Sequence, residues 1–370
     1  MRKYQVINIQ ETYKMKDMTQ DKKYMVFSAI NKYDQENIIT PVETDTHRGF
    51  ISWGEGNQWP DYLRSLYLSC TTLKSCIDTA TDYVCGNGIG AGDATEIDYD
   101  FIINDRGETI YELSKKLMKD YFTFGGYAVN VIRNRIGEKS LYYIPFERLR
   151  SDEYNTVFYY SKDWNKSWGR VKTTSYPAYK DDNSVYSSIF CYNDNSGITT
   201  YPVCPWQTAV ECAEMQRRIN QFHLNALANG FSGSYLITFN NGIPNQEQAD
   251  EIENDLIEKF TGTENAGRIA VSFANDKEHS AELQKLEIDD YGEKYKSLIE
   301  RSQDEILKAF RFNGQLIGIN KDNLGFNTQE FSEAFKLYNR TVIRPLQHML
   351  IKTLTELTDK EISIQPFTLE

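Results

Sequence analysis

Histidine is scarce in this sequence. Of 370 residues only four are His, at 47, 223, 279 and 348, and none stands in a His-Glu-x-x-His or comparable ligand spacing. Histidine-based metal catalysis therefore has no sequence support. Cysteine is nearly as sparse: Cys70, Cys76, Cys85, Cys191, Cys204 and Cys212 form no Cys-x-x-Cys pair and have no histidine at finger spacing, so they read as free thiols of a reducing compartment. There is no Gly-x-Ser-x-Gly elbow and no Gly-x-x-x-x-Gly-Lys-Ser/Thr loop. Nowhere do eighteen apolar residues run together, and the opening Met1-Arg-Lys-Tyr-Gln-Val-Ile-Asn8 lacks the apolar stretch of a signal peptide. The chain reads as soluble and cytosolic, with no membrane partner. Positive charge is also short, 41 Lys and Arg against 53 Asp and Glu, for a formal charge of −12. Tight gripping of nucleic acid needs clustered cations, so a DNA partner would have to be handled without it.

A chain this long exceeds the ~250–300 residues at which single cores stop growing, and is expected to divide into two or more units. The aromatic share of 13%, resting on 25 Tyr and 19 Phe, points to extensive contact surface. Residues 1–50 are polar without sustained period and read as an arm that orders only against neighbours. Leu63, Leu66, Cys70, Leu73, Ile77, Ala80 and Val84 then step by three or four, predicting one amphipathic helix stopped by Gly86-Asn-Gly88. A second helix is predicted over 109–122 and is broken by Gly125-Gly126. The period then changes to two, predicting a hairpin of Tyr127–Ile132 and Leu141–Ile144. Short strands such as Val157–Tyr160 and Ser187–Tyr192 follow, completing a mixed α+β unit.

After Pro205 a helix is predicted to about Asn229, with Ala209, Cys212, Gln216, Ile219, His223 and Leu227 in one stripe. Strands at 235–239, 268–273 and 283–288, with a helix Gln246–Phe260, lie between this helix and another over about 291–312. A loop, 313–326, carries Gly314, Gly318 and Gly325. The last predicted helix starts at an Asn327 N-cap with Glu330 three residues on and runs to about Leu357; Pro345 within it predicts a kink. A final strand is predicted over 361–369.

Few motifs carry chemistry. Gly86-Asn-Gly-Ile-Gly-Ala91 fits a dinucleotide fingerprint formally but follows a helix where that mechanism needs a strand, so it reads as a helix stop and turn. The acidic helix Gln246–Phe260, with Glu247, Glu251, Asp255 and Glu258, reads as a solvated face, or alternatively as a docking surface. Trp164 and Trp168 read as strand-packing aromatics rather than a sugar platform. No cofactor is implied.

The order of elements says more. A mixed α+β unit, helix, small β/α insertion, helix, glycine-bearing loop and kinked helix resembles the portal proteins of tailed bacteriophages. Local sequence agrees: Trp59-Pro-Asp-Tyr-Leu63 and Tyr83-Val-Cys-Gly-Asn-Gly88 resemble that family's opening helix and glycine stop, and Tyr121-Phe-Thr-Phe-Gly-Gly-Tyr-Ala-Val-Asn-Val131 its helix-to-strand crossover. Ile144-Pro-Phe-Glu-Arg-Leu-Arg150 resembles the strand after the hairpin. Glu305-Ile-Leu-Lys-Ala-Phe-Arg311 with Leu316-Ile-Gly-Ile319 resembles the lead into its tunnel loop. Phe331-Ser-Glu-Ala-Phe-Lys-Leu-Tyr-Asn339 with Val342-Ile-Arg-Pro-Leu-Gln347 is similar to its kinked helix.

The resemblance implies a portal-like α+β fold: an N-terminal arm over 1–50, a wing over 51–203 and 327–370, stem helices over 204–230 and 290–312, a small α/β clip over 231–289 and a tunnel loop over 313–326. Family members often continue into a helical crown, which is missing or was removed here. A homo-oligomeric ring of about twelve copies at the capsid portal vertex is implied, passing double-stranded DNA without catalysis of its own, assembled in the host cytoplasm and kept in the virion. The clip would dock the terminase large subunit during filling and the head-tail adaptor afterwards, through Glu247, Glu251, Asp255 and Glu258. The wing would meet major capsid and scaffold proteins. Asn313, Gln315, Asn320, Lys321 and Asn323 of the tunnel loop would touch passing phosphates. The rival readings are a hydrolase or nuclease built from scattered carboxylates, and another ring-forming virion adaptor.

Overall fold

A computed structural model describes residues 24–25, 43–45, 49–93, 95–164, 171–181, 186–194, 199–228, 235–239, 269–273, 291–319 and 328–367. The elements run β1 (Tyr24–Met25), β2 (Glu43–Asp45), β3 (Ile51–Trp53), α1 (Trp59–Ser69), α2 (Thr71–Cys85), β4 (Gly88–Ala91), α3 (Ile110–Phe124), β5 (Gly126–Arg133) and β6 (Lys139–Tyr143). There follow β7 (Leu149–Ser151), β8 (Val157–Tyr160), β9 (Thr174–Pro177), β10 (Ser187–Asn193), α4 (Val210–Ala228), β11 (Tyr235–Phe239) and β12 (Ile269–Phe273). The chain continues through α5 (Tyr291–Ala309), α6 (Thr328–Tyr338), a π-helical turn (Asn339–Ile343), α7 (Arg344–Thr358) and β13 (Ile362–Gln365). Helix and sheet are mixed, as an α+β reading requires.

Two compact units result. One comprises 1–35 and 221–289, the other 36–220 and 290–370. In the smaller, β12 is central, parallel to β11 and antiparallel to β1. In the larger, β10-β5-β6 and β7-β8-β9 form two antiparallel sheets, while β13 pairs with β4 and β2 with β3.

Within residues 1–50, Tyr24 and Met25 pair with Ser272 and Val271, and Glu43–Asp45 with Ile51–Trp53, all of the same chain; apart from 49–50, the rest of the expected arm lies outside the described residues. Glu43 further accepts hydrogen bonds from the amides of Thr200 and Tyr201, at 2.8 Å each. Strands of two and three residues are too short to leave a period to read. The single helix expected over 63–84 is two, because Cys70 takes an extended backbone (φ −102°, ψ 109°) between α1 and α2. The break is invisible in the pattern because Leu63, Leu66, Cys70, Leu73 and Ile77 are all buried on one core-facing stripe.

Elsewhere the local chemistry sets the boundaries. Thr109 caps α3, its side chain accepting from the Glu112 amide while the Glu112 carboxylate accepts from the Thr109 amide. Gly125 ends it in the left-handed region at φ +89°, where a Cβ would lie 2.4 Å from the Val203 carbonyl oxygen. The Gly-Asn-Gly-Ile-Gly-Ala run is explained by crowding: a Cβ on Gly90 would lie 2.2 Å from the Asp98 carbonyl oxygen. Gly86 and Asn87 end α2 in a turn, as expected, and from Gly88 the chain forms β4 and pairs with β13. Trp164 is buried and donates its indole N–H to the Arg148 carbonyl at 2.9 Å; Trp168 lies outside the described residues.

Two buried charges anchor the larger unit. Arg150, 1% exposed, donates to the carbonyls of Glu147 (2.9 Å), Leu149 (2.6 Å) and Asn57 (3.0 Å), and to the Asn57 side chain. Its guanidinium lies over the rings of Trp164 and Trp53, at 4.9 and 5.7 Å. Burial pulls its pKa down to about 10, so it remains charged at neutral pH. Asp120, on α3, accepts from the Phe146 amide (3.1 Å) and the Tyr143 hydroxyl (3.0 Å). Burial outweighs those bonds and pushes its carboxyl up to about 7.

Arg150→Met should therefore lower the unfolding free energy by about 3 kcal/mol or more, because four acceptors lose their donor; a denaturant midpoint equal to wild type would refute this. For Asp120 the folded pKa lies above the unfolded ~3.9, so the folded state binds the extra proton between about pH 4 and pH 7. Its contribution is fully present below about pH 4 and is lost as pH rises through about 7. Asp120→Asn keeps an acceptor for Phe146 and cannot ionise. Relative to wild type the variant should gain stability as pH rises across that window, by a few kcal/mol at most, and a pH-independent difference in urea midpoints would count against the assignment.

Candidate channel loop and stem helices

The segment expected to contact DNA follows α5, whose position is fixed by packing against α4. On α5, Ser302 and Ile306 are buried; on the start of α4, Ala213, Gln216 and Ile219 are buried. The seam is partly polar. The Gln216 side-chain amide donates to Ser302 Oγ at 3.1 Å, its carbonyl accepts from Cys70 Sγ at 3.0 Å, and Ser302 Oγ donates on to the Ile299 carbonyl at 2.9 Å. A buried amide with both ends partnered holds one register between α4, α5 and the α1–α2 break. Reading the stripe from sequence placed Gln216, Ser302 and Cys70 on helix faces without revealing that they meet; polar residues inside apolar stripes were the available signal.

Beyond α5 the chain turns at Arg311, whose φ is +58°, and enters a short 3₁₀ turn, Gly314–Ile317. Asn313 caps this turn, its side-chain oxygen accepting from the Gln315 amide at 3.2 Å. Gln315 donates through its side-chain amide to Glu330 Oε2 on α6 at 2.7 Å. Leu316 is buried, and its carbonyl accepts from the Tyr83 hydroxyl at 3.0 Å. Tyr83 in turn packs edge-on against Phe335, ring centres 5.2 Å apart, and burial raises its hydroxyl pKa. Asn313 and Gln315 thus hold the lead into the loop in place. Asn320, Lys321 and Asn323 lie outside the described residues, and so do Glu247, Glu251, Asp255 and Glu258.

Pro345 stands at the first turn of α7, directly after the π turn. Lacking an N–H, it cannot bond the carbonyl four residues back, and the wider π turn is one way a long helix accommodates the ring. Phe335, Tyr338, Ile343, Leu350, Leu354 and Leu357 form the buried side of this composite helix. Among the described residues no group of three His, Cys, Asp or Glu could hold a metal ion, and no helix is long and apolar enough to cross a membrane.

Comparison with known proteins places this arrangement. The family model for phage portal proteins matches residues 94–361, most of the chain. No curated protein matches the sequence. Similar solved structures include a chain in the virion of a native gene transfer agent particle, 16% identical, covering 82% of this chain and 83% of that one at a TM-score of 0.48. A chain from the neck of the native particle, computed with C12 symmetry, is 15% identical with 83% of each chain covered and a TM-score of 0.47. An HK97 family phage portal protein from Corynebacterium diphtheriae is 11% identical, with 82% of this chain and 94% of that one covered, and a TM-score of 0.45. These likenesses are loose, and no part of the assignment rests on them. On the strength of the family match over 94–361, the chain belongs to the phage portal protein family.

Proposed function

We propose that this portal protein forms a closed homo-oligomeric ring, of about twelve copies, through which double-stranded DNA is packaged into the capsid and later ejected. The observation that carries the reading is the family match over residues 94–361, supported by the element order from α4 to α7. In this reading residues 51–203 and 327–370 are the wing, 204–230 and 290–312 the stem, 231–289 the clip and 313–326 the tunnel loop, with a helix kink at Pro345. The net charge of −12 then has a use. Duplex DNA carries one negative charge per ~1.7 Å, and a chain that is acidic overall is poorly suited to grip it tightly, which lets it slide.

Contact with passing phosphates is assigned to Lys321, with Asn320 and Asn323 beside it; Asn313 and Gln315 support the loop from its base and contribute polar contacts. The clip, through Glu247, Glu251, Asp255 and Glu258, docks the terminase large subunit and then the head-tail adaptor, and the wing meets major capsid and scaffold proteins. The chain performs no catalysis itself; ATP hydrolysis belongs to the terminase.

Negative-stain images of the purified full-length chain should show perforated rings, and a compact monomer with metal-dependent nuclease activity would overturn the proposal in favour of the enzyme reading. Within a ring-forming protein, particles carrying Lys321→Ala should fill with or retain less DNA. Filling and retention equal to wild type would remove the role given to Lys321.

A further inference from the structure

We infer that the exposed edge of the composite helix α6–π–α7 is a binding face for the phosphate backbone of duplex DNA, separate from the tunnel loop. Lys336, Arg340, Arg344, His348 and Lys352 recur at every fourth position along it, and all five are exposed. Acidic residues make up 53 of the 370 in the chain, about one in seven, yet none occurs between positions 334 and 355. Among the described residues only Lys336 of the row has an acidic partner, Glu333, at 2.7 Å on an exposed surface. Such a pair is worth little and exchanges readily for a stronger anion.

Packing fixes where this row points, because the opposite side of the same helix is buried through Phe335, Tyr338, Ile343, Leu350, Leu354 and Leu357. The π turn also keeps the row in line. In an α-helix four residues overshoot one turn by about 40°, so a period-four row winds around the axis. The π turn over Asn339–Ile343 takes more residues per turn, so the step from Arg340 to Arg344 falls short of a full turn and offsets the drift of the α-helical steps. Sixteen residues from Lys336 to Lys352 at ~1.5 Å each trace at most about 24 Å along the helix, the axial length of up to roughly seven phosphates on one strand.

Four Lys and Arg side chains in one row with His348, and no intervening acid, complement a regularly charged polyanion. The choice of DNA over an acidic protein surface rests on the portal reading; the exposure and charge of the row do not. Contact with phosphates rather than base edges makes the binding sequence-independent, weak and steeply salt-dependent.

The test measures binding of a short fluorescent duplex of random sequence to the full-length chain by anisotropy, across a salt series. Three proteins are compared: wild type, Arg340→Gln/Arg344→Gln/Lys352→Gln, and a control, Lys172→Gln/Lys296→Gln/Lys308→Gln, that removes the same charge from exposed positions elsewhere in the larger unit. The row variant should bind at least about tenfold more weakly at low salt and lose about 2.7 from the log–log salt slope, at about 0.9 per phosphate contact, while the control stays near wild type. The inference fails if the row variant binds as wild type does, if the control loses as much as the row variant, or if polyglutamate at equal charge concentration displaces the duplex, which would mark the face as a dock for acidic protein. Ring images report separately on the portal reading. Rings with no row-dependent binding sink this inference alone, whereas row-dependent binding without rings sinks the portal reading and leaves the DNA-binding face standing.

Discussion

The larger unit depends on a guanidinium buried without a carboxylate. Arg150 is the most deeply buried charged side chain among the described residues, and its hydrogen bonds go to oxygens of Asn57, Glu147 and Leu149, none of them carrying formal charge. Desolvating a cation is costly, and the cost is met here by a complete set of acceptors and by the faces of Trp53 and Trp164. What the site gains is connection. The turn at Asn57, the segment entering β7 and the aromatic pair otherwise share no backbone ladder, and Asn57 is held at φ +66° because its side-chain oxygen also accepts from the Trp53 amide at 2.9 Å. Arginine suits this place and lysine does not, since a planar fork can reach several acceptors while stacking on indole. From this point Trp53 extends the packing outward, stacking on Tyr201 at 4.6 Å and meeting Phe146 edge-on at 5.5 Å.

Charge on the outside follows a different logic. An average of −12 describes no particular surface, because fields at physiological salt fade over about 8 Å. A chain can therefore be acidic overall and still present one helix edge without a single carboxylate over twenty residues. Overall acidity speaks against tight, general adhesion to nucleic acid and leaves local contact open. In the proposed ring those two properties would let a polyanion pass and still engage it somewhere.

Much of the fold is legible in the sequence where local rules act alone. The hairpin β5–β6, the strand at 235–239, the stop at Gly125 and the Thr109/Glu112 cap are written in alternation, glycine placement and capping chemistry. The break at Cys70 is not, since an extended residue between two helices leaves the three-to-four spacing of buried positions intact. The pairing of Tyr24–Met25 and of Glu43–Asp45 is not legible either, because such short strands are specified by their partners. For the candidate site, helical stripes put Gln216 and Ser302 on core-facing sides, but only the fold brings them to 3.1 Å. The cationic row was present in the sequence all along; a count of charge over the whole chain hides a pattern with a period of four.

The π turn over Asn339–Ile343 serves both faces of its helix. On the buried side Tyr338 is followed by Ile343, a step of five that an uninterrupted α-helix would rotate away from the core, while Phe335 and Leu350 keep their places on either side. On the exposed side the same wide turn restores the alignment of Arg340 with Arg344. At its end Pro345 needs a preceding carbonyl that is free of an α-helical partner, and the turn supplies one. One extra residue per turn thus reconciles an apolar face, a charged face and a proline that an unbroken helix could not carry together, which is a reason for the irregularity to sit at this position in the helix and at no other.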